Sequence, residues 1–549
     1  VSLRAAVAAA ALLSLAAAPR TWRHPDGKAA DGVAEDVSVS DSGRILLAPA
    51  SEEILPGREK VPAPPLLWSA ALDLKGTVYV GGGASAKVLR VDRKGKAETV
   101  FEAKALGVRA LAADLADGLF VATFPGGRVY RVGAEGKTEV YFEPEERYLW
   151  AMAADAFDRL YVASGERGVV YVITGRGEGR PFFDSDEPHI TALAADPTGR
   201  LLAGSAGRGL LYRLDAEGRP EVILDSRLDE VSAVVAASDG TVYAAAQSEP
   251  GPARPRRPGD KGDEMTIEVT PAEGDSLLEE AASQRRKLVI DLADLIPAPA
   301  EGKARPASQV FRALPGRTPL SVWSSSSERA YALALDARGH LLFGTGPSGN
   351  LYRLEPDGST TLLKRFPAAQ VTAITTGADG RTYVLTSNPG RAHVLEPHPA
   401  SSGRYLSPVH DAGSVAAWGS VRFEADTPPG TRVEVALRSG NSPAPDETWS
   451  GWSSAHASAD PGPAKAPPAR YVQWRADLSR LKTETTPVLR NVVLTYLPEN
   501  LPPAVKGVTV GEPGAPRPAP PSPSKPEGSR DRPKDGDEPQ GAGSGAPAE

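Results

Sequence analysis

Apolar residues in this chain come in short runs, not in helical stripes. From residue 66 to about 397 the runs alternate with clusters of Gly, Asp, Asn and Pro. That pattern predicts short β-strands joined by tight turns. The runs also repeat. One unit reads Val108-Arg-Ala-Leu-Ala-Ala-Asp114, a turn, Gly118-Leu-Phe-Val-Ala122, a turn, then Arg128-Val-Tyr-Arg-Val132. A Tyr-rich position recurs at Tyr79, Phe120, Tyr161, Leu202, Tyr243, Leu342 and Tyr383, each step being 41 residues except one of 99. A second series, Leu89, Tyr130, Tyr171, Tyr212, Phe311, Tyr352 and His393, keeps the same period and puts the same surplus of 58 residues between Tyr243 and Phe311. A period of roughly 40–45 residues with four short strands is that of a propeller blade. The expected fold is all-β: a seven-bladed β-propeller over 66–403, with a flexible insertion at 248–306.

Each unit has the composition a blade requires. Ser69, Ala110, Ala151, Ala192, Ala233, Ala332 and Ala373 share one position of the first strand. First strands converge on the ring axis, where large side chains would collide. Glycine follows in the turn at Gly76, Gly199, Gly240, Gly339 and Gly380. The fourth strand is the most polar, as the exposed outer edge of a blade should be.

The flanks read differently. Residues 1–18 carry Arg4 and then a largely apolar run to Ala18, the pattern of a signal peptide. Export to the periplasm or the extracellular space is expected. Residues 19–65 form an N-terminal segment. Its first part, 19–36, reads as polar and loose. Its 37–49 stretch reads as two short strands around Ser42-Gly43, a candidate to close the ring. Short alternating strands over 404–500 predict a β-sandwich. The remainder, 501–549, is Pro, Gly, Ser and charge, and predicts a disordered tail. Inside the insertion, Lys287-Leu-Val-Ile-Asp-Leu-Ala-Asp-Leu-Ile296 reads either as a docked strand or helix, or as a partner-binding segment.

Composition removes some chemistry. The chain has no cysteine, seven histidines and a formal net charge of -7. Disulfides and thiolate sites are excluded, and a histidine-rich metal centre has little material. No cofactor and no metal are expected. No basic run favours nucleic acid, and no later apolar stretch is long enough for a membrane span. A monomer is expected.

Phrases such as Asp73-Leu-Lys-Gly-Thr-Val-Tyr-Val80 resemble NHL, SMP-30-like and virginiamycin-lyase-like propellers. The second half is similar to a family of secreted bacterial proteins that join a propeller to a terminal sandwich. Gly344-Thr-Gly-Pro-Ser-Gly-Asn-Leu-Tyr-Arg353, Ser407-Pro-Val-His-Asp-Ala-Gly413 and Ala469-Arg-Tyr-Val-Gln-Trp-Arg475 carry that likeness. It implies architecture and no reaction. The propeller group includes lactonases, lyases and pure binding proteins.

Three sets of residues compete for a role. Asp73, Asp114, Asp155, Asp196 and Asp336 recur before hairpin turns, where Asp caps backbone N–H groups; a repeated turn role accounts for them better than a metal ring. Where the repeats differ is more informative. The position that opens each first strand reads Trp68, Arg109, Trp150, Thr191, Ser232, Tyr331 and Thr372. Two residues earlier stand Leu66, Gly107, Tyr148, His189, Glu230, Arg329 and Gln370. Trp68, Arg109, Tyr148, Trp150, His189, Arg329, Tyr331 and Gln370 are therefore the candidate ligand-binding set at one mouth of the channel. The competing view is that the aromatics wedge between blades as core. His189 with Glu187 or Glu230 would make a base pair, though no spacing demands it, and no catalytic residue is assigned.

In the sandwich, Trp449-Ser-Gly-Trp-Ser453 resembles the WSxWS element of cytokine-receptor fibronectin-type domains. There tryptophans interleave with arginines, and Arg438, Arg470 and Arg475 are available. The weaker alternative makes Trp449 and Trp452 an exposed carbohydrate platform. The reading that fits best is a secreted, non-enzymatic protein that binds an unidentified glycan, peptide or protein through a propeller face. Its rivals are an extracellular lactonase- or lyase-type enzyme and a carbohydrate-targeting protein using the sandwich.

Overall fold

The computed structural model describes residues 18–499, apart from 26–30, 56–63, 93–94, 115–117, 156, 158, 249–263, 268–287, 292–304 and 482–483. The expected signal peptide and tail lie outside the described residues.

Four-stranded antiparallel sheets succeed one another along 66–103, 107–142, 149–184, 189–225, 230–325 and 329–365. These are blades 1–6. Blade 7 takes three strands from 370–399 and its fourth, Pro49–Leu55, from the other end of the chain. First strands of successive blades pack side by side, and that of blade 7 meets that of blade 1, so the ring is closed. The 58-residue surplus sits between the second and third strands of blade 5. Val242–Gln247 still pairs directly with Ser308–Ala313, so the excursion leaves the blade intact. Within it, Leu288–Asp291 pairs with Glu264–Ile267 as a two-stranded hairpin.

The cores of the ring lie between sheets. Seven apolar clusters fill the seven seams, one per pair of neighbouring blades. A lone blade has two apolar faces and no way to bury either. Stacking in a ring buries both, which is why the small-then-large pattern of the first strand repeats in every unit.

Two expectations are corrected. The ring is closed by Pro49–Leu55, not by 37–49. That strand reads Pro-Ala-Ser-Glu-Glu-Ile-Leu and buries only Ile54 and Leu55. An outer edge strand has little apolar signal to show. Val37–Ser40 and Ile45–Leu47 do form a hairpin, but it bridges blade 6 and the C-terminal strands. Val39 and Ser40 pair with Leu362 and Thr361 on the outer edge of blade 6, while Ile45 and Leu46 pair with Leu489 and Val488. The second correction concerns 19–36, whose described parts include two strands. Arg20–His24 pairs with Val488–Pro498, and Val33–Glu35 pairs with Ser402–Leu406. Trp22 and His24 alternate inward, a signal too short to stand out in a polar segment.

The terminal domain is one long sheet folded over. His410–Asp426 pairs with Ala469–Arg480 through its first part and with Val488–Pro498 through its second. The sheet thereby encloses a single core that includes Trp474, Tyr405, Phe423, Val435 and Leu494. Strands Arg20–His24, Val33–Glu35 and Ile45–Leu47 of the N-terminal segment complete this sheet.

Candidate functional site

Strand direction alternates within a blade. The leading ends of the first strands, the loops between second and third strands, and the loops joining blades therefore gather at one end of the ring. The Asp-bearing turns gather at the other. Those aspartates are occupied as turn caps. Oδ1 of Asp73, Asp155, Asp196 and Asp336 each accepts two backbone N–H groups, two and four residues on. Asp114 accepts Arg131 Nε at 2.6 Å. Among the described residues no group of His, Asp and Glu is arranged to hold a metal ion.

At the mouth, every first strand carries a β-bulge at the same place. The extra residue is Trp68, Arg109, Trp150, Thr191, Ser232, Tyr331 or Thr372. A bulge leaves one residue outside the ladder and re-aims its side chain. All seven are partly buried. The position divides into two uses. In blades 4, 5 and 7 its hydroxyl donates to the neighbouring first strand: Thr191 to the Val231 carbonyl at 2.8 Å, Ser232 to Ala330 at 2.9 Å, and Thr372 to Leu67. In blades 1, 2, 3 and 6 it carries a large side chain.

Those large side chains form a line. Trp68 lies 5.4 Å from Phe124, Phe124 6.4 Å from Trp150, and Trp150 5.9 Å from His189. Tyr148 stacks on Trp150 at 5.7 Å and 8°. The arc spans blades 1 to 4. Phe124 is the member sequence reasoning missed. Blades 1, 3 and 6 have glycine in its register, at Gly83, Gly165 and Gly346, so its bulk was a departure visible in the repeat. The glycines make room: a Cβ on Gly165 would lie 2.4 Å from Trp150 Nε1 and 2.7 Å from His189 Nδ1.

His189 Nδ1 accepts two N–H groups, from Trp150 Nε1 at 3.3 Å and from the Glu166 backbone at 3.2 Å. The neutral ring must then carry its proton on Nε2. The acid–base pair considered for His189 is not formed. Glu187 turns to Arg208, and Glu230 accepts Gln247 Nε2 at 3.2 Å. Desolvation pulls the Arg109 guanidinium below the ordinary value, and Glu230, three blades away, opposes that. Across the ring, Gln370 donates to Tyr331 at 3.5 Å, and Arg329 reaches the Ser248 carbonyl at 3.5 Å. Of the remaining histidines, His340 is held by Asp336 at 3.0 Å at the far end, and His393 is buried in blade 7.

The sandwich tryptophans form a cation–π ladder, not an open platform. Trp449 is 7% exposed and its Nε1 donates to Ser442 Oγ at 2.9 Å. Arg438 lies over both Trp449 and Trp452, at 5.6 and 4.6 Å, and Arg475 over Trp452 at 4.9 Å. Arg470 instead covers Tyr471 and pairs with Asp411.

No family model and no curated protein matches the chain. Solved structures do. Virginiamycin B lyase from Staphylococcus aureus aligns at 9% identity and a TM-score of 0.46, over 63% of this chain and 98% of that one. The WD40 propeller domain of Doa1 aligns at 10% and 0.41, over 66% and 97%. The extracellular domain of a proposed hybrid two component system from B. thetaiotaomicron aligns at 12% and 0.43, over 82% and 60%. These similarities say nothing about activity.

Proposed function

We propose that the chain is an exported, non-enzymatic binding protein that holds a glycan or a peptide across the mouth of the propeller. The observation that carries this reading is the partly buried arc Trp68–Phe124–Trp150–His189, with Tyr148 stacked on it. Aromatic faces left in water favour a partner with an apolar face of its own, such as a sugar ring or a side chain. Arg109 and Glu230, flanking the channel, supply polar groups of both signs for orientation. The leading Ala-rich segment supports export.

The test is tryptophan emission of the full chain titrated with panels of oligosaccharides and of peptides. A true ligand shifts the emission saturably, and Trp68→Ala combined with Trp150→Ala weakens it at least about fivefold, the loss expected for two stacks worth about 0.5–1.5 kcal/mol each. Unchanged affinity in that double variant removes the mouth from the reading. Turnover of any panel member would replace it with an enzymatic one.

A further inference from the structure

The seven bulge residues of the mouth do not end alike. Thr191, Ser232 and Thr372 donate to carbonyls of neighbouring first strands. Trp150 donates its indole N–H to His189, and Tyr331 accepts Gln370 Nε2. Trp68 packs on Phe124. Arg109 is the one formal charge in this register. Among the described residues its guanidinium has no hydrogen bond and no ion pair.

Two features of the ring withhold a partner. Where a bulge side chain is met from the following blade, the leading residue of that blade's first strand meets it. His189 of blade 4 meets Trp150 of blade 3, and Gln370 of blade 7 meets Tyr331 of blade 6. The residue in that place for Arg109 is Tyr148, and it lies flat on Trp150 instead, at 5.7 Å and 8°. Within blade 2 itself the leading residue is Gly107. A Cβ there would lie 3.0 Å from both Phe124 Cε1 and Trp68 Cζ3, so the Trp68–Phe124 contact keeps that position bare. Opposite Gly107 on the second strand stands Phe124, which is apolar.

Glu230, the carboxylate that acts on Arg109, stands three blades away and already accepts Gln247 Nε2 at 3.2 Å. Desolvation works against the Arg109 charge. A partly buried guanidinium without a counter-ion costs stability, and a carboxylate held bidentate is its best partner. Trp68 and Trp150 occupy the same register on the first strands to either side, which pack against that of Arg109. A cation thus stands between two aromatic side chains. That pairing suits a ring with a carboxylate one bond away from it. A sugar ring lays its C–H face on an indole and turns its hydroxyls to water. A peptide crossing the same arc would set its backbone N–H and C=O groups against aromatic carbon, where they find no partners.

We propose that the ligand of the mouth is an acidic oligosaccharide, whose uronate carboxylate is held by Arg109 while its sugar rings stack on Trp68 and Trp150. The proposal rests on the mouth reading and narrows it from glycan or peptide to one charged class of glycan.

Calorimetric titration of the full chain tests it, with tetramers of galacturonate, mannuronate and guluronate, the methyl ester of each, and tetraglutamate as probes. At least one uronate should saturate by about 10 mM and bind at least about tenfold tighter than its own ester, which keeps the sugar and removes the charge. Arg109→Met should erase that difference. Having shed an unpaired guanidinium, it should also unfold at higher urea than the wild type. The proposal fails if no uronate saturates. It fails if acid and ester bind alike, a comparison made on the wild type and so independent of any variant's folding. It fails if Arg109→Met keeps the preference, or is less stable than the wild type, because the guanidinium then serves the fold. Tetraglutamate binding more tightly than every uronate overturns the sugar and assigns an acidic peptide. The mouth reading falls separately. Acid and ester binding alike, with both weakened in Trp68→Ala combined with Trp150→Ala, sinks the carboxylate alone. Uronate binding unchanged in that double variant sinks the mouth reading with it.

Discussion

The backbone N–H of Glu166, in blade 3, donates to Nδ1 of His189, the leading residue of blade 4, at 3.2 Å. Trp150 Nε1 reaches the same nitrogen, so one imidazole ties the loop of one blade to the bulge of that blade and to the next strand. The arrangement requires Gly165, where no side chain fits. Gly165→Ala is therefore expected to displace the Trp150 indole and the His189 ring together. A stability loss of about 1–3 kcal/mol should appear in urea unfolding, with a red shift of tryptophan emission. Long-range proton–nitrogen NMR of the wild type should show the Nε2–H tautomer. A protonated Nδ1 in the neutral ring would refute the geometry.

The hydroxyl staples make a second prediction. Thr191, Ser232 and Thr372 each satisfy a carbonyl on the adjacent first strand, and Leu67 also accepts Ser387 Oγ at 2.9 Å. Thr191→Val keeps shape and removes the donor, so it should cost about 1 kcal/mol. Thr372→Val sits where blade 7 meets blade 1, but Ser387 still serves the same carbonyl. Its cost should be the smaller of the two, and Thr372→Val with Ser387→Ala should cost more than the two single changes added together. Strict additivity in urea midpoints would show that the shared carbonyl does not couple them.

Legibility followed period and apolarity. The seven-unit ring was readable because small and large residues alternate by position in every first strand, and because both Tyr-rich series agree on one insertion. The closing strand was less readable, since Ser51, Glu52 and Glu53 are polar and look like a linker. Arg20–His24 was missed because its partner lies more than four hundred residues away at Val492 to Tyr496, a pairing no local pattern announces. At the mouth, the variable register picked out Trp68, Trp150, Tyr148 and His189 but not Phe124. Phe124 belongs to the second strand, whereas the variable register lies in the first. The Trp452 ladder illustrates the opposite limit: the motif was legible, and only the positions of Arg438 and Arg475 decided between ladder and platform.

His393 makes stability depend on pH. It occupies the third-strand register that holds Phe311 in blade 5 and Tyr in blades 2, 3, 4 and 6. It pairs with Glu53 of the closing strand and packs on Phe366 at 4.6 Å. Its Nε2 has no partner, and 7% of the residue is exposed. Burial pushes its pKa from the ordinary 6.5 down to about 4; Lys364 and Arg391 push the same way, and Glu53 opposes them. The sign follows from which state binds the proton. Between 6.5 and 4 the unfolded chain takes up a proton that the folded chain refuses, so acid favours unfolding across that window. The neutral ring's contribution is fully present above 6.5, declines as pH falls, and is exhausted near 4. The shift corresponds to about 3 kcal/mol at 1.36 kcal/mol per pH unit. His393→Phe removes the titrating group and keeps the apolar packing of that register. The stability of the wild type relative to this variant should therefore fall by about that amount from pH 7 to 4, measured by urea unfolding at each pH. Parallel curves for the two proteins would mean that the ring is hydrated and the closing strand open at His393.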